Sequence, residues 1–325
     1  MPPEPAARRR RGLLGSPWLR AAIALAVLLA WGLFLRSQLA ALRAYPWQLA
    51  PHAFLAAIAW GALYFSGLGL SWTLLLRTMG GAARGVALAA GLRIWTGTML
   101  SRYVPGNIWH IVGRVALAER LGVSRAQVLA SASVEQVLTL LGALAIFALS
   151  LPFWRGGAGE ERWLLLLVPA GLALLHPRLL GAALRVVATR LRRPDLAWPY
   201  SYAAMLALLG AFTLANLSAG VALYVTVAAL VEIGPGQAAF LLGAAALAWV
   251  VGYLSFLTPG GLGVREAALT ALVAQVAPLP VAIVASLLYR LALTLGEIVA
   301  AGVAMLYGRA SRPLTRSAEE TRELP

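Results

Sequence analysis

The residues of this chain best placed to do chemistry sit where a long apolar helix has no reason to stop. Ser255-Phe-Leu-Thr-Pro-Gly-Gly-Leu-Gly-Val-Arg-Glu266 interrupts two apolar runs. Pro259 removes a backbone donor, and Gly260, Gly261 and Gly263 weaken any helix. Arg265 and Glu266 then place two charges in apolar surroundings. A second stretch of the same kind is Ser101-Arg-Tyr-Val-Pro-Gly-Asn-Ile-Trp-His110, followed by Arg114. Breakers and charges at membrane depth are costly, so such segments point to function rather than to ordinary loops.

The chemistry these stretches support is anion binding. A broken helix leaves backbone donors and acceptors unpaired, and its positive N-terminal end favours phosphate. Arg102, Arg114 and Arg265 can add bidentate contacts to a phosphodiester. Asn107 and His110 can supply neutral hydrogen bonds. With the turn residues Pro105, Gly106, Pro259, Gly260 and Gly261, and with Glu266, these form the candidate substrate-binding set. Glu135, Arg290 and Glu297 are embedded charges of a second kind. They serve charge pairing or proton coupling, for example Glu135 with Arg290 and Glu266 with Arg114.

Other chemistries find little here. The chain has no Cys, which removes disulfides, thiol nucleophiles and thiolate metal sites. Its three His lie far apart in sequence, and Asp195 is the one aspartate. No nucleotide loop, zinc spacing or GxSxG occurs. No metal or cofactor is expected. An acid-poor chain is a poor metal-dependent transferase.

The elements that position these residues are apolar helices. The chain has 325 residues, is 61% hydrophobic and is only 12% charged, which marks an all-α polytopic membrane protein. Its formal charge is +15, carried by 27 arginines with no lysine. Those arginines flank apolar runs, so the partners they imply are anionic lipid headgroups and not nucleic acid. Residues 1–16 read as a disordered tail, 17–308 as one membrane domain and 309–325 as a second disordered tail. About six full spans are expected: 18–35, 53–76, 128–151, 163–175, 202–230 and 281–307. Residues 85–122 and 238–276 are expected to be re-entrant hairpins with Pro-Gly tips. A basic amphipathic linker at 177–195 is expected to lie on the membrane surface.

With both hairpins re-entrant, 18 arginines fall on one side of the membrane, and Arg36, Arg43, Arg155 and Arg162 on the other. The rich side is then cytoplasmic, with both termini inside. The two breaks also match each other. Ser101-x-x-Val-Pro-Gly-Asn-Ile aligns with Ser255-x-x-Thr-Pro-Gly-Gly-Leu at an offset of 154, and Gly142 falls on Gly296. Repeat one is 53–151 and repeat two is 202–307, each a span, a broken hairpin and a span. In this topology the two hairpins enter from opposite sides, as in inverted-repeat transporters. Pro105 and Pro259 should then both lie deep in the membrane.

Arg102-Tyr-Val-Pro-Gly-Asn, Arg114, Glu135, Thr-Pro-Gly-Gly-Leu-Gly-Val-Arg-Glu266 and Tyr289-Arg290 resemble the membrane region of the lysylphosphatidylglycerol synthase/flippase family. The resemblance covers roughly residues 20–307 and implies lipid handling. In bifunctional members a separate soluble domain makes aminoacylated lipid. This chain ends at Pro325, so the expectation is a flippase-like protein without that domain. Three readings follow. The leading one is a lipid transporter of the bacterial inner membrane, not an enzyme, taking an anionic phospholipid or a polyprenyl-phosphate-linked lipid. The others are a membrane glycosyl or lipid transferase, and a non-catalytic scaffold for envelope-biosynthesis enzymes.

Overall fold

A computed structural model describes residues 17–103, 109–154, 160–176, 178–179, 181–182, 189, 200–255, 261 and 263–310. Among them the chain forms the α-helices named next, further helical residues at 178–179, 181–182 and 189, short 3-10 turns, and no strand. The helices are α1 (Pro17–Ala44), α2 (Pro51–Arg77), α3 (Leu88–Met99), α4 (Trp109–Glu119) and α5 (Arg125–Ser150). They continue with α6 (Leu167–Leu174), α7 (Tyr202–Ala228), α8 (Ala238–Leu254), α9 (Val264–Val273) and α10 (Leu279–Ala310).

The order long, short, short, long occurs twice, as α2 to α5 and as α7 to α10. Within each set the first short helix ends in the same way. Ser101 Oγ donates to the Thr98 carbonyl at 2.6 Å, and Ser255 Oγ donates to the Gly252 carbonyl at 2.9 Å. The two sets also exchange contacts. α2 packs on α7 and α10, α5 packs on α7 and α8, and α3 packs on α10. So each first short helix rests on the last long helix of the other set.

Glycine makes the closest of these approaches possible. A Cβ on Gly142 would lie 3.2 Å from both Thr213 N and Thr213 Cα in α7. One on Gly296 would lie 2.6 Å from Ala62 N and from Gly61 C in α2. The two glycines therefore do the same job at their offset of 154: each brings the last long helix of one set against the first helix of the other, backbone to backbone. Such contact is how helices associate where no hydrophobic drive between them exists. Large side chains fill the space around it, with Trp72, Trp95, Tyr289, Phe212 and Phe240 all fully buried.

Among the described residues five helices are long and apolar enough to cross a membrane: Pro51–Arg77, Arg125–Phe153, Tyr202–Ala228, Pro235–Leu254 and Leu279–Leu306. Two differences from the sequence reading follow. The run 163–175 is no full span. It is a 3-10 turn at Glu160–Leu166 followed by the eight residues of α6. Pro169 is the cause, because proline is tolerated in the first turn of an α-helix and not deeper, so α6 cannot begin much earlier. The second difference is α8. With its leading turn it makes a continuous segment of 20 residues, enough to cross unaided, where the sequence suggested one arm of a hairpin. Its counterpart α3 has 12 residues. α1 is a 28-residue helix that outruns the apolar stretch 18–35 and touches α10. The tips Pro105, Gly106, Asn107, Pro259 and Gly260, most of the linker 177–195 and both tails lie outside the described residues.

Candidate functional site

The site is built on two short helices, α4 and α9, each of which starts after a Pro-Gly stretch and folds back on the long helix that follows it. α4 carries Arg114 and packs on α5, which carries Glu135. α9 carries Glu266 and packs on α10, which carries Arg290. Each short helix is tied to its successor by one ion pair, and the charges are reversed between the two.

In the first pair, Arg114 Nη1 donates to Glu135 Oε2 at 2.5 Å. The other carboxylate oxygen accepts from Trp95 Nε1 at 2.7 Å. Arg114 Nη2 approaches Met99 Sδ at 3.4 Å, and the guanidinium lies 5.0 Å from the Trp72 ring and 5.5 Å from the Trp95 ring. Trp72 is itself held by Ser131, donating to its Oγ at 3.1 Å. Arg114 is 1% exposed and Glu135 3%. Two indole faces, a thioether and one carboxylate thus surround the buried guanidinium. Chemically this is a clamp. One ion pair holds the guanidinium and two aromatic faces add cation–π attraction, while Arg114 Nε makes no hydrogen bond among the described residues.

The second pair is more open. Arg290 Nη1 donates to Glu266 Oε1, and the side chain of Arg290 is 30% exposed against 6% for Glu266. Glu266 Oε2 accepts from the Gly263 backbone N–H at 2.6 Å. That bond caps α9 with a carboxylate, where the helix dipole favours negative charge. The chain leading into the cap needs glycine. Gly261 and Gly263 have φ of 69° and 82°, a region L residues rarely enter. A Cβ on Gly261 would also meet the Gly252 carbonyl oxygen at 2.8 Å. Beside Glu266, Arg265 of α9 runs over Gly252 of α8 and ends 5.7 Å from the Tyr289 ring.

The pairing suggested by the sequence, Glu135 with Arg290 and Glu266 with Arg114, is therefore corrected to Glu135 with Arg114 and Glu266 with Arg290. The physical reason is local. A short helix joined by a tight turn to a long one folds straight back on it, so each buried charge meets its complement inside its own set. His110 sits in the first turn of α4, partly buried, and Glu297 is buried on α10 at 1% exposure; both are engaged by neighbours. Arg102 belongs to the turn Leu100–Tyr103 that ends α3.

Sequence reasoning passed over the residues that complete the clamp: Trp72, Trp95 and Met99. One signal was there to use. Trp95 has Trp249 at the same offset of 154. Trp249 stacks on Tyr253 with ring centroids 5.1 Å apart. No group of three or more metal-ligating side chains occurs among the described residues.

A family model described as the lysylphosphatidylglycerol synthase TM region matches residues 18–301. The chain belongs to this family. Comparison with curated proteins gives no match. The family match spans both sets of helices and all four partners of the two ion pairs. With five helices of crossing length, the protein is a multi-pass membrane protein of a family tied to lipid metabolism.

The asymmetry of the pairs yields a first expected result. Glu266→Gln should destabilise the protein by about 1–3 kcal/mol, less than loss of the buried Glu135, because Arg290 is partly open to a polar surround. Thermal unfolding in one detergent, compared with wild type, checks it. A loss as large as that of Glu135→Ala would show that the two pairs are equally sealed.

Proposed function

We propose that the protein is a flippase-like lipid transporter of the bacterial inner membrane, with both termini cytoplasmic. It moves or binds an anionic phospholipid or a polyprenyl-phosphate-linked lipid at a site between the two broken segments. The observation that carries this reading is the doubled order of helices, with a charged Pro-Gly break before the second short helix of each set. Reversed-charge clamps and exchanged contacts support treating the two sets as a structural repeat, a design in which two similar bodies rock about a site between them. Arg8 to Arg11 and Arg20, flanking the start of the first apolar run, support a cytoplasmic N-terminus.

The transport reading is preferred to an enzymatic one because the acids at the breaks are committed. Glu135 holds Arg114 and Trp95, and Glu266 holds Arg290 and the start of α9. Neither carboxylate is free to act as a general base. The family's name refers to a phospholipid headgroup chemistry, which agrees with a lipid ligand.

Leaflet exchange in proteoliposomes tests the reading. Purified protein should accelerate loss of a fluorescent anionic phospholipid from the outer leaflet, assayed by reductant quenching, over protein-free vesicles. Folded protein that accelerates no member of a broad lipid panel rejects it.

A further inference from the structure

The turn that joins α2 to α3 carries two cations that belong to neither ion pair. α2 ends at Arg77, α3 begins at Leu88, and Arg84 lies in the 3-10 turn Gly81–Gly85 between them. Both residues are exposed, and among the described residues no carboxylate lies within ion-pair distance of either. Two like charges on a loose loop would drift apart. Here Arg77 Nε donates to the Arg84 carbonyl at 3.3 Å. That bond ties the first guanidinium to the backbone of the second residue and leaves its Nη atoms for another acceptor.

The turn itself is pinned. Gln127 of α5 donates to the Gly80 carbonyl at 3.2 Å, and Thr78 Oγ1 donates to the Leu75 carbonyl at 2.6 Å. Ala83 and Val86, on either side of Arg84, are buried. Arginines at the end of a span also orient it in the membrane, but that role needs charge alone and no such fixing. Below the cations runs an apolar stripe. Leu63, Leu70 and Leu74 are exposed and lie at helical spacing on the face of α2 that ends at Arg77. α2 is long enough to cross a membrane, so the stripe meets acyl chains and Arg77 stands where they give way to headgroups.

We propose that Arg77 and Arg84 hold the phosphodiester of one anionic phospholipid of the surrounding leaflet, with its acyl chains along Leu74 and Leu70. The Nη atoms of Arg77 give the oriented contact and Arg84 the second charge. Basic residues just beyond a span bind such headgroups. The lipid is a companion and not cargo. The 12 residues of α3, about 18 Å of helix, separate this turn from the first break.

Photolabelling measures this. Lipid-stripped protein in detergent is titrated with phosphatidylglycerol carrying a diazirine in one acyl chain, irradiated and mapped by peptide mass spectrometry. Label should appear within residues 70–77. Arg77→Gln and Arg84→Gln should each weaken half-maximal labelling there about fivefold, the factor given by roughly 1 kcal/mol per arginine at an anionic surface. Arg43→Gln makes the same charge change at an exposed residue ahead of the other end of α2, and should leave labelling unchanged. Label absent from 70–77, as an acidic protein occupant predicts, overturns the proposal. So does unchanged labelling in both variants, or an equal loss in Arg43→Gln. Should Arg77→Gln fail to elute as a single folded species, Arg84→Gln decides, since it keeps the carbonyl that holds Arg77. Labelling needs no translocation, so absence of leaflet exchange refutes transport and leaves this result standing.

Discussion

Glu135→Ala is expected to abolish most of the folded, monodisperse protein recovered in detergent. The substitution strands Arg114, which is 1% exposed and has no other carboxylate within ion-pair distance among the described residues. Removing one partner of a buried ion pair typically destabilises by about 3–5 kcal/mol. Trp95 loses its acceptor as well, a further penalty of about 1–3 kcal/mol for a buried donor left unsatisfied. Their sum is comparable to the whole stability of many domains, about 5–15 kcal/mol. The double variant Arg114→Met with Glu135→Leu should recover much of the loss, because an apolar pair of similar volume removes the stranded charge. Recovery will be incomplete while the Trp95 N–H lacks an acceptor. Fluorescence-detected elution and thermal unfolding of wild type, single and double variants give the comparison. A double variant no better than the single would mean that the pair is not what closes α4 on α5.

Gly296→Val should be as damaging by a different route. The added Cβ would sit 2.6 Å from Ala62 N and Gly61 C, both backbone atoms of α2 that cannot turn aside. α10 must then move off α2 along its length. Overpacking of this kind costs about 1–3 kcal/mol and sometimes more, well above the few tenths of a kcal/mol, roughly, of helix propensity gained by replacing glycine with valine. Gly302→Val on the same helix is the control, since nothing lies within 4 Å of its Cβ position. Gly142→Val should behave like Gly296→Val, as its new atoms meet the backbone of Thr213. By contrast, Gly91 faces the side chain of Thr73 and Gly243 the side chain of Ser150. Damage at those two sites should be relieved by Thr73→Gly and Ser150→Gly respectively. Thermal midpoints of the single and paired variants test the distinction. Equal loss at Gly302 and Gly296 would remove the case for close backbone contact.

Much of the frame was legible in the sequence because apolar length is a composition property. The runs at 53–76, 128–151, 202–230 and 281–307 each lie within a helix of crossing length. The run 163–175 misled because hydropathy does not register that Pro169 restricts where a helix starts. The arm at 238–257 misled in the opposite direction. Its break at Pro259-Gly260 drew attention from a segment long enough to cross before the break is reached.

The sequence by itself determined the class of protein, the four charged partners of the ion pairs, and the matching glycines 142 and 296. These follow from residue type and spacing along one chain. Only the tertiary structure decided who pairs with whom. Four embedded charges allow more than one neutral pairing, and the choice depends on which helices touch. It also decided that Arg114 lies between Trp72 and Trp95 while Arg265 lies beside Tyr289. Spacing can put a charge on a helix, but which groups on other helices surround it is fixed by packing between segments far apart in sequence.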